Sequence, residues 1–577
     1  MDKSAIIHIP MSEYAYGVDE NHVTIRLRCK KDDLKSVYLI YGDRSCRNTP
    51  VDFTKIKMEV VASTKWQDYF EVTLENPHKR LNYCFLLNDG KEEIYYYGDM
   101  FEKEIVDDRS EYFQLPFNHR ADIVSPPEWT KDAIVYNIFP DSFATSKRFI
   151  SNKETSKTYK DQIVKGKRGG TIRGIIENID YLKDLGINTI YTNPIFTAGE
   201  YHKYDLLDYF SIDPCFGTNE DFEELVNVCH KNQIRIIIDG VFNHCGWKFF
   251  AFEDVVINQE KSKYKDWFYG LKFPVVRPDD PEEYPTYDCF GYERMMPKLA
   301  LDNEETANYF CSVGKYWIEK YDIDGWRLDV ASEINDGFWR KFNETVKSAK
   351  PEAILIGEVW ESANHWLDGT IFDSAMNYDF RKHCKRFFAE ESEDSLDFDT
   401  RVTNMRLRYR KQTVFSELNV LDTHDVSRFL SVCNGKIENY KLALVFQMTF
   451  MGMPTLFYGD EKGLTGVLED EYRQPMAWDK ESDLLLFIKK LISLRKEEVT
   501  LRRGDFKTIY AKEKSRLYGY ERYIKDERTA VYINMSDAEE VIADINKNEI
   551  LLTEGFNENK NSLSGKGFCI LKMRRAK

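Results

Sequence analysis

The chain lacks several features that would place it in a class at once. No run approaches the roughly eighteen consecutive apolar residues of a membrane-spanning helix, so no such helix is expected. The start, Met1 to Pro10, has no cationic segment leading into a long apolar one, so no secretory signal is expected. Excess positive charge is also missing. Against 81 Lys and Arg stand 97 Asp and Glu, and the net charge of −16 argues against nucleic acid as a partner. The eleven cysteines form no CxxC pair and are odd in number. They read as reduced, mostly buried thiols of a cytoplasmic protein rather than a disulfide framework. There is no internal repeat and no low-complexity stretch.

What is present is long and patterned. At 577 residues the chain exceeds a single core, and about two to four domains are expected. Residues 1–122 read as an N-terminal β-sandwich. His22–Arg28 alternates cleanly, and Arg80–Gly90 followed by Glu93–Tyr97 reads as a hairpin turning on Asn88, Asp89 and Gly90. From Ser125-Pro-Pro-Glu-Trp129 onward strands alternate with helical stretches. Ile134–Ile138, Thr189–Pro194, Ile234–Asp239, Asp324–Asp329, Ile354–Glu358, Thr370–Ala375, Asn419–Thr423 and Thr455–Tyr458 are the strand candidates. They predict an α/β fold, a (β/α)8 barrel over 123–244 and 302–500. The irregular stretch 245–301, after the third strand, is too long for a plain loop and reads as a small inserted domain. Residues 501–577 return to short strands and read as a C-terminal β-domain.

Catalytic groups of such barrels sit at the carboxyl ends of the strands. Asp239, Asp329, Glu358 and Asp425 all fall at or just after such ends. Along Gly325–Asp329 the alternation puts Arg327 and Asp329 on one face and Trp326 and Leu328 on the other. An arginine beside Asp329 favours the ionised carboxylate of a nucleophile. Glu358 follows Ile354 and Ile356, and apolar surroundings would raise its pKa, as a general acid needs. Two carboxylates across a barrel mouth are what glycosidic cleavage requires. His244 and His424 could hydrogen-bond sugar hydroxyls, and Tyr204, Tyr287, Phe290 and Trp360 could stack on sugar rings. Each residue alone has a blander reading. Arg327–Asp329 could be a structural ion pair, either histidine a core residue, and Asp460–Glu461 a helix cap. Their joint occurrence at successive strand ends outweighs those readings.

These motifs resemble the conserved regions of the α-amylase superfamily. Within it they resemble the neopullulanase, cyclomaltodextrinase and maltogenic amylase group. The stretches that carry the likeness are Asp239–His244, Gly325–Glu333, Gly357–Trp360, Leu421–Asp425 and Gly452–Glu461. His202–Asp205, Met296–Leu299 and Phe372–Tyr378 add the group-specific part. The resemblance implies retaining hydrolysis of α-1,4, with α-1,6 a second option, in cyclomaltodextrins, maltooligosaccharides and pullulan. Maltose or panose would be released, and transglycosylation could accompany hydrolysis. It implies Asp329 as nucleophile, Glu358 as acid/base and Asp425 as the carboxylate that holds the distorted sugar. Tyr204, Asp239, His244, Arg327, Trp360, His424, Glu469 and Arg473 would bind substrate. It also implies a homodimer formed through the N-terminal domain.

The departures from the family pattern point elsewhere. The family's calcium loop reads here as Ala144–Phe149, with Lys and Arg in place of oxygen ligands, and Thr171 stands where an Asp is usual. The expectation is that no cofactor is required; calcium stays open as an option although the family's calcium loop is not retained, and none is expected at Thr171. Ala300 and Glu361 replace an Asn and a His near the sugar path. The rival readings are an oligo-α-glucosidase and a non-catalytic α-glucan-binding paralogue. The retained Asp329, Glu358 and Asp425 speak against the second.

Overall fold

The computed structural model describes residues 1–48, 51–146, 156–542 and 548–573. Its contacts form two compact units. One joins Met1–Ser125, His383–Phe415 and Arg503–Lys577, and the other joins Pro126–Lys382 and Ser416–Arg502.

In the first unit, His22–Lys30 pairs antiparallel with Gln67–Glu75. Val23, Ile25, Leu27 and Cys29 alternate into the core of a nine-stranded sheet path that folds into the sandwich. The expected hairpin is present. Leu81–Asn88 pairs with Glu93–Tyr96, and Gly90 takes a left-handed φ of 87° in the turn. Residues 503–573 contribute a six-stranded antiparallel sheet. The helix Ser395–Leu407 lies within the span that the sequence reading gave to the barrel, yet its side chains serve this unit. Phe398 packs against Tyr518 with ring centroids 5.2 Å apart, and Asp399 accepts hydrogen bonds from Tyr518 and Thr508.

The second unit is the barrel. Its strands are β1 (Val135–Ile138), β2 (Thr189–Thr192), β3 (Arg235–Gly240), β4 (Gly325–Leu328), β5 (Ile354–Gly357), β6 (Ser374–Ala375), β7 (Leu418–Val420) and β8 (Met453–Phe457). All pairings are parallel, in the order β6-β5-β4-β3-β2-β1-β8-β7. A parallel bridge between Met376 and Leu418 closes the ring. Inward-facing Val135, Tyr191, Ile237, Ile354, Ile356, Leu418 and Met453 fill it as one core cluster. The sixth strand is much shorter than Thr370–Ala375: only Ser374 and Ala375 pair with β5, while Asp368 accepts the Thr370 N–H in a turn before it. Between β3 and β4 the insertion carries the helix Phe250–Asn258 and the small sheet Cys289–Phe290 with Glu293–Pro297. No helix among the described residues is long and apolar enough to cross a membrane.

Candidate active site

Strand register builds the site. Asp239 on β3 lies beside Arg327 on β4, and Leu328 lies beside Gly357 on β5. Asp329 and Glu358 are therefore neighbours one step beyond adjacent strand ends. Their backbone N–H groups continue the ladder to Gly240 and Leu328 at 3.0 and 2.9 Å.

Arg327 is fully buried and faces three carboxylates. Its Nη1 donates to Asp239 at 2.8 and 2.9 Å and to Asp329 at 2.8 Å. Its Nη2 lies 2.8 Å from Glu358, off the hydrogen-bond direction, and has no other acceptor. The free Oε2 of Glu358 accepts the Val330 N–H at 2.9 Å. Val330 reaches that position by adopting φ 47° and ψ 42°, a left-handed conformation that is costly for a β-branched residue.

One guanidinium cannot neutralise three carboxylates. Burial raises Asp329 well above the usual carboxylate range, Arg327 opposes this, and Glu358, Asp239 and Asp425 add to it. The expected simple ionisation of Asp329 by Arg327 is thus corrected, because Arg327 is shared. Nor is Glu358 in apolar surroundings. Ile354 and Ile356 point into the barrel core, and the carboxylate meets Arg327 and an N–H instead. Asp425 behaves differently. Burial works against its charge, but the hydrogen bond from His424 and the guanidiniums of Arg327 and Arg473 outweigh it and hold its pKa below the usual carboxylate value.

His424 has no exposure and both ring nitrogens are engaged. Nδ1 faces Asn193 Nδ2 at 2.8 Å, while Nε2 faces Asp425 at 2.9 Å and the Tyr204 hydroxyl. The rings of Tyr204 and His424 stack with planes 7° apart. Asp239 accepts from Tyr191 at 2.9 Å and Tyr204 at 3.0 Å, and burial pushes both phenols well up so that they keep their protons. Arg473 links Asp425 at 3.4 Å with Glu469, which also accepts from Tyr201 at 2.7 Å.

These groups surround a cavity of about 660 Å³. Asp329, Glu358, Asp425, Tyr204, His244, Trp360, Glu469 and Arg473 all line it. Asp239, Arg327 and His424 are not among its lining residues and lie beneath it, fully buried. His244 stacks on Phe290, and burial pushes its imidazole down to about 3, so it is uncharged. Trp360 is half exposed, with one face on Tyr378 at a centroid distance of 3.9 Å and the other open. Tyr287 is corrected from platform to core. It is 1% exposed and ties Trp247 to the Arg294 carbonyl. Glu361 lines the cavity, whereas Ala300 is buried away from it. Sequence reasoning missed Glu293 in the lining, named Met296 and Glu333 only as ends of motifs and without a site role, and missed Tyr191 and Asn193 beneath it. Asn193 carries a usable signal, an amide just past a barrel strand where polar groups demand partners.

Asp460 and Glu461 lie outside the cavity, buried against Arg428 and against Tyr136 and Tyr181.

Residues 137–483 match the family model described as alpha amylase, catalytic domain. Residues 1–119 match the alpha amylase N-terminal ig-like domain. The cyclomaltodextrinase of Thermoanaerobacter pseudethanolicus is 42% identical over 551 residues, covering 94% of each chain. Neopullulanase 2 of Thermoactinomyces vulgaris is 38% identical over 537 residues, covering 92% of this chain and 90% of its own. A solved cyclomaltodextrinase superposes with a TM-score of 0.89 at 34% identity, over 100% of this chain and 98% of that one. With a closed barrel, the carboxylates at its strand ends and these likenesses together, the chain belongs to the α-amylase family of glycoside hydrolases.

Proposed function

We propose that the chain hydrolyses α-1,4-glucosidic bonds of cyclomaltodextrins and short maltooligosaccharides with retention, and accepts pullulan more slowly. The observation that carries this reading is the pair Asp329 and Glu358 on one guanidinium at the cavity floor. In retaining glycosidases the two carboxyls stand about 5–5.5 Å apart, against about 6.5–9.5 Å in inverting ones, and a shared arginine favours the shorter spacing.

Burial and the neighbouring carboxylates favour a proton on Asp329. A glycosidic oxygen that accepts from Glu358 draws that proton to it and leaves Asp329 ionised on Arg327. Asp329 then attacks the anomeric carbon as Glu358 protonates the leaving oxygen. Glu358, now a base, takes a proton from water as the water oxygen bonds to the anomeric carbon, and the bond from that carbon to Asp329 breaks to release the sugar and the free carboxylate. A sugar hydroxyl in place of water gives transglycosylation. Asp425, low in pKa and held by His424 and Arg473, binds hydroxyls of the distorted ring. The open face of Trp360 beside Glu358 receives the leaving sugar.

A calcium requirement does not fit the residues present. The Asp141 carboxylate accepts N–H groups of Lys167, Arg168 and Gly169 at 3.0 to 3.3 Å. The Thr171 hydroxyl caps a helix by accepting from Gly174. Residues 147–149 of the expected loop lie outside the described residues. Eleven free cysteines, ten of them buried, support a reducing, cytoplasmic setting. Half-exposed Ile9, Met11 and Trp66 on the N-terminal domain support a homodimer through that domain, which light scattering would test.

Product analysis on γ-cyclodextrin, pullulan and starch, with Asp329→Asn as control, tests the reading. Fastest loss of cyclodextrin, with an inert variant, supports it. Starch cut as fast or faster refutes the substrate preference, and equal inactivity of both proteins refutes the enzyme.

A further inference from the structure

We propose that Asn193, itself aimed by Asn137, is a positioning residue that fixes the ring proton of His424 on Nε2 and so aims Asp425. The role of Asp425 as a sugar-holding carboxylate rests on the reading above. The tautomer does not.

Two chains of partners, entering from opposite sides of the imidazole, require the same proton position. On the Nδ1 side the chain starts at the Tyr191 carbonyl, which can only accept. Asn137 reaches it at 3.2 Å, so the atom there is the amide nitrogen. The same nitrogen lies 3.1 Å from Asn193, whose facing atom must be the carbonyl oxygen. The Asn193 amide nitrogen is thereby turned toward His424 Nδ1 at 2.8 Å, and a donor there needs a lone pair on Nδ1. The orientation leaves Asn137 Oδ1 without a partner in a buried position, so it is imposed by the donor side.

On the Nε2 side the chain starts at Asp239. That carboxylate takes the Arg327 guanidinium and the hydroxyl protons of Tyr191 and Tyr204. With its proton committed to Asp239, the Tyr204 oxygen can only accept from His424 Nε2. Nε2 therefore carries hydrogen, which it shares with Asp425 at 2.9 Å. Phe139 packs on the ring, and Arg473 donates to the His424 carbonyl at 2.8 Å. The imidazole plane is set on every side. A carboxylate in place of either amide would supply an acceptor where a donor is needed, which is why Asn137 and Asn193 serve there.

The test is nitrogen-15 spectroscopy of the histidine rings in the full chain, with His424→Gln to assign the signal. Wild type should show a lone-pair nitrogen at Nδ1 and a protonated one at Nε2. Asn193→Asp, nearly isosteric, should place a proton on Nδ1. Its kcat should fall about a hundredfold while KM moves less than about threefold, because alignment and not ground-state binding is lost. Asn193→Leu should show the same split. A wild-type proton on Nδ1, or variants within about twofold of wild-type kcat, overturns the inference. Should a variant not fold, the wild-type spectrum decides, and it decides equally if no glucan is a substrate.

Discussion

Asp329 and Glu358 sit on the two terminal nitrogens of one arginine, each 2.8 Å from Arg327. The nucleophile and the acid proposed here are therefore one electrostatic unit with Asp239. A change to the arginine is felt by all three carboxylates.

Arg327→Lys tests that unit. An ammonium is a point charge and cannot present the fork that spans three carboxylates. We expect kcat to fall by about a thousandfold and stability by about 3 kcal/mol, since buried carboxylates lose their partner. Steady-state kinetics and urea unfolding read the two effects. A lysine variant with near-normal kcat would show that charge alone suffices.

Val330 is expected to store backbone strain at φ 47°. Val330→Asn, which tolerates the left-handed region, should gain about 1 kcal/mol while the N–H bond to Glu358 persists. Unfolding midpoints compare the two proteins. A loss of stability would mean that the valine side chain contributes more than its conformation costs.

Asp399 makes stability depend on pH. Burial lifts its pKa from 3.8 to about 6, while Thr508 and Tyr518 oppose the shift. With the folded value above the unfolded one, the folded state binds the proton more tightly. Stability then falls as pH rises from about 4 to about 6, and levels off above, by about 2–3 kcal/mol. Asp399→Asn should remove that part of the slope in melts recorded at pH 4.5 and 8. An unchanged slope would assign the pH dependence to other groups.

Chelation tests the calcium reading. Activity and melting temperature should be the same with and without EDTA, since Asp141 is already satisfied by backbone N–H groups. A fall in melting temperature that calcium restores would contradict it.

Much of this protein is determined locally. Alternation along His22–Lys30 follows from the two-residue period of a strand, and the short apolar runs that end at Asp239, Asp329 and Glu358 place these carboxylates at or just after strand ends. What the carboxylates experience is not local. Arg327 and Asp239 are 88 residues apart in sequence and meet through register alone, so the sharing of one guanidinium is absent from any single stretch. The same holds for Asn193 and His424, 231 residues apart, and for Tyr287, whose ring is core because the insertion closes over it. Sequence period decides which way a side chain points. Only the closed barrel decides what it meets, because burial and charge act through space.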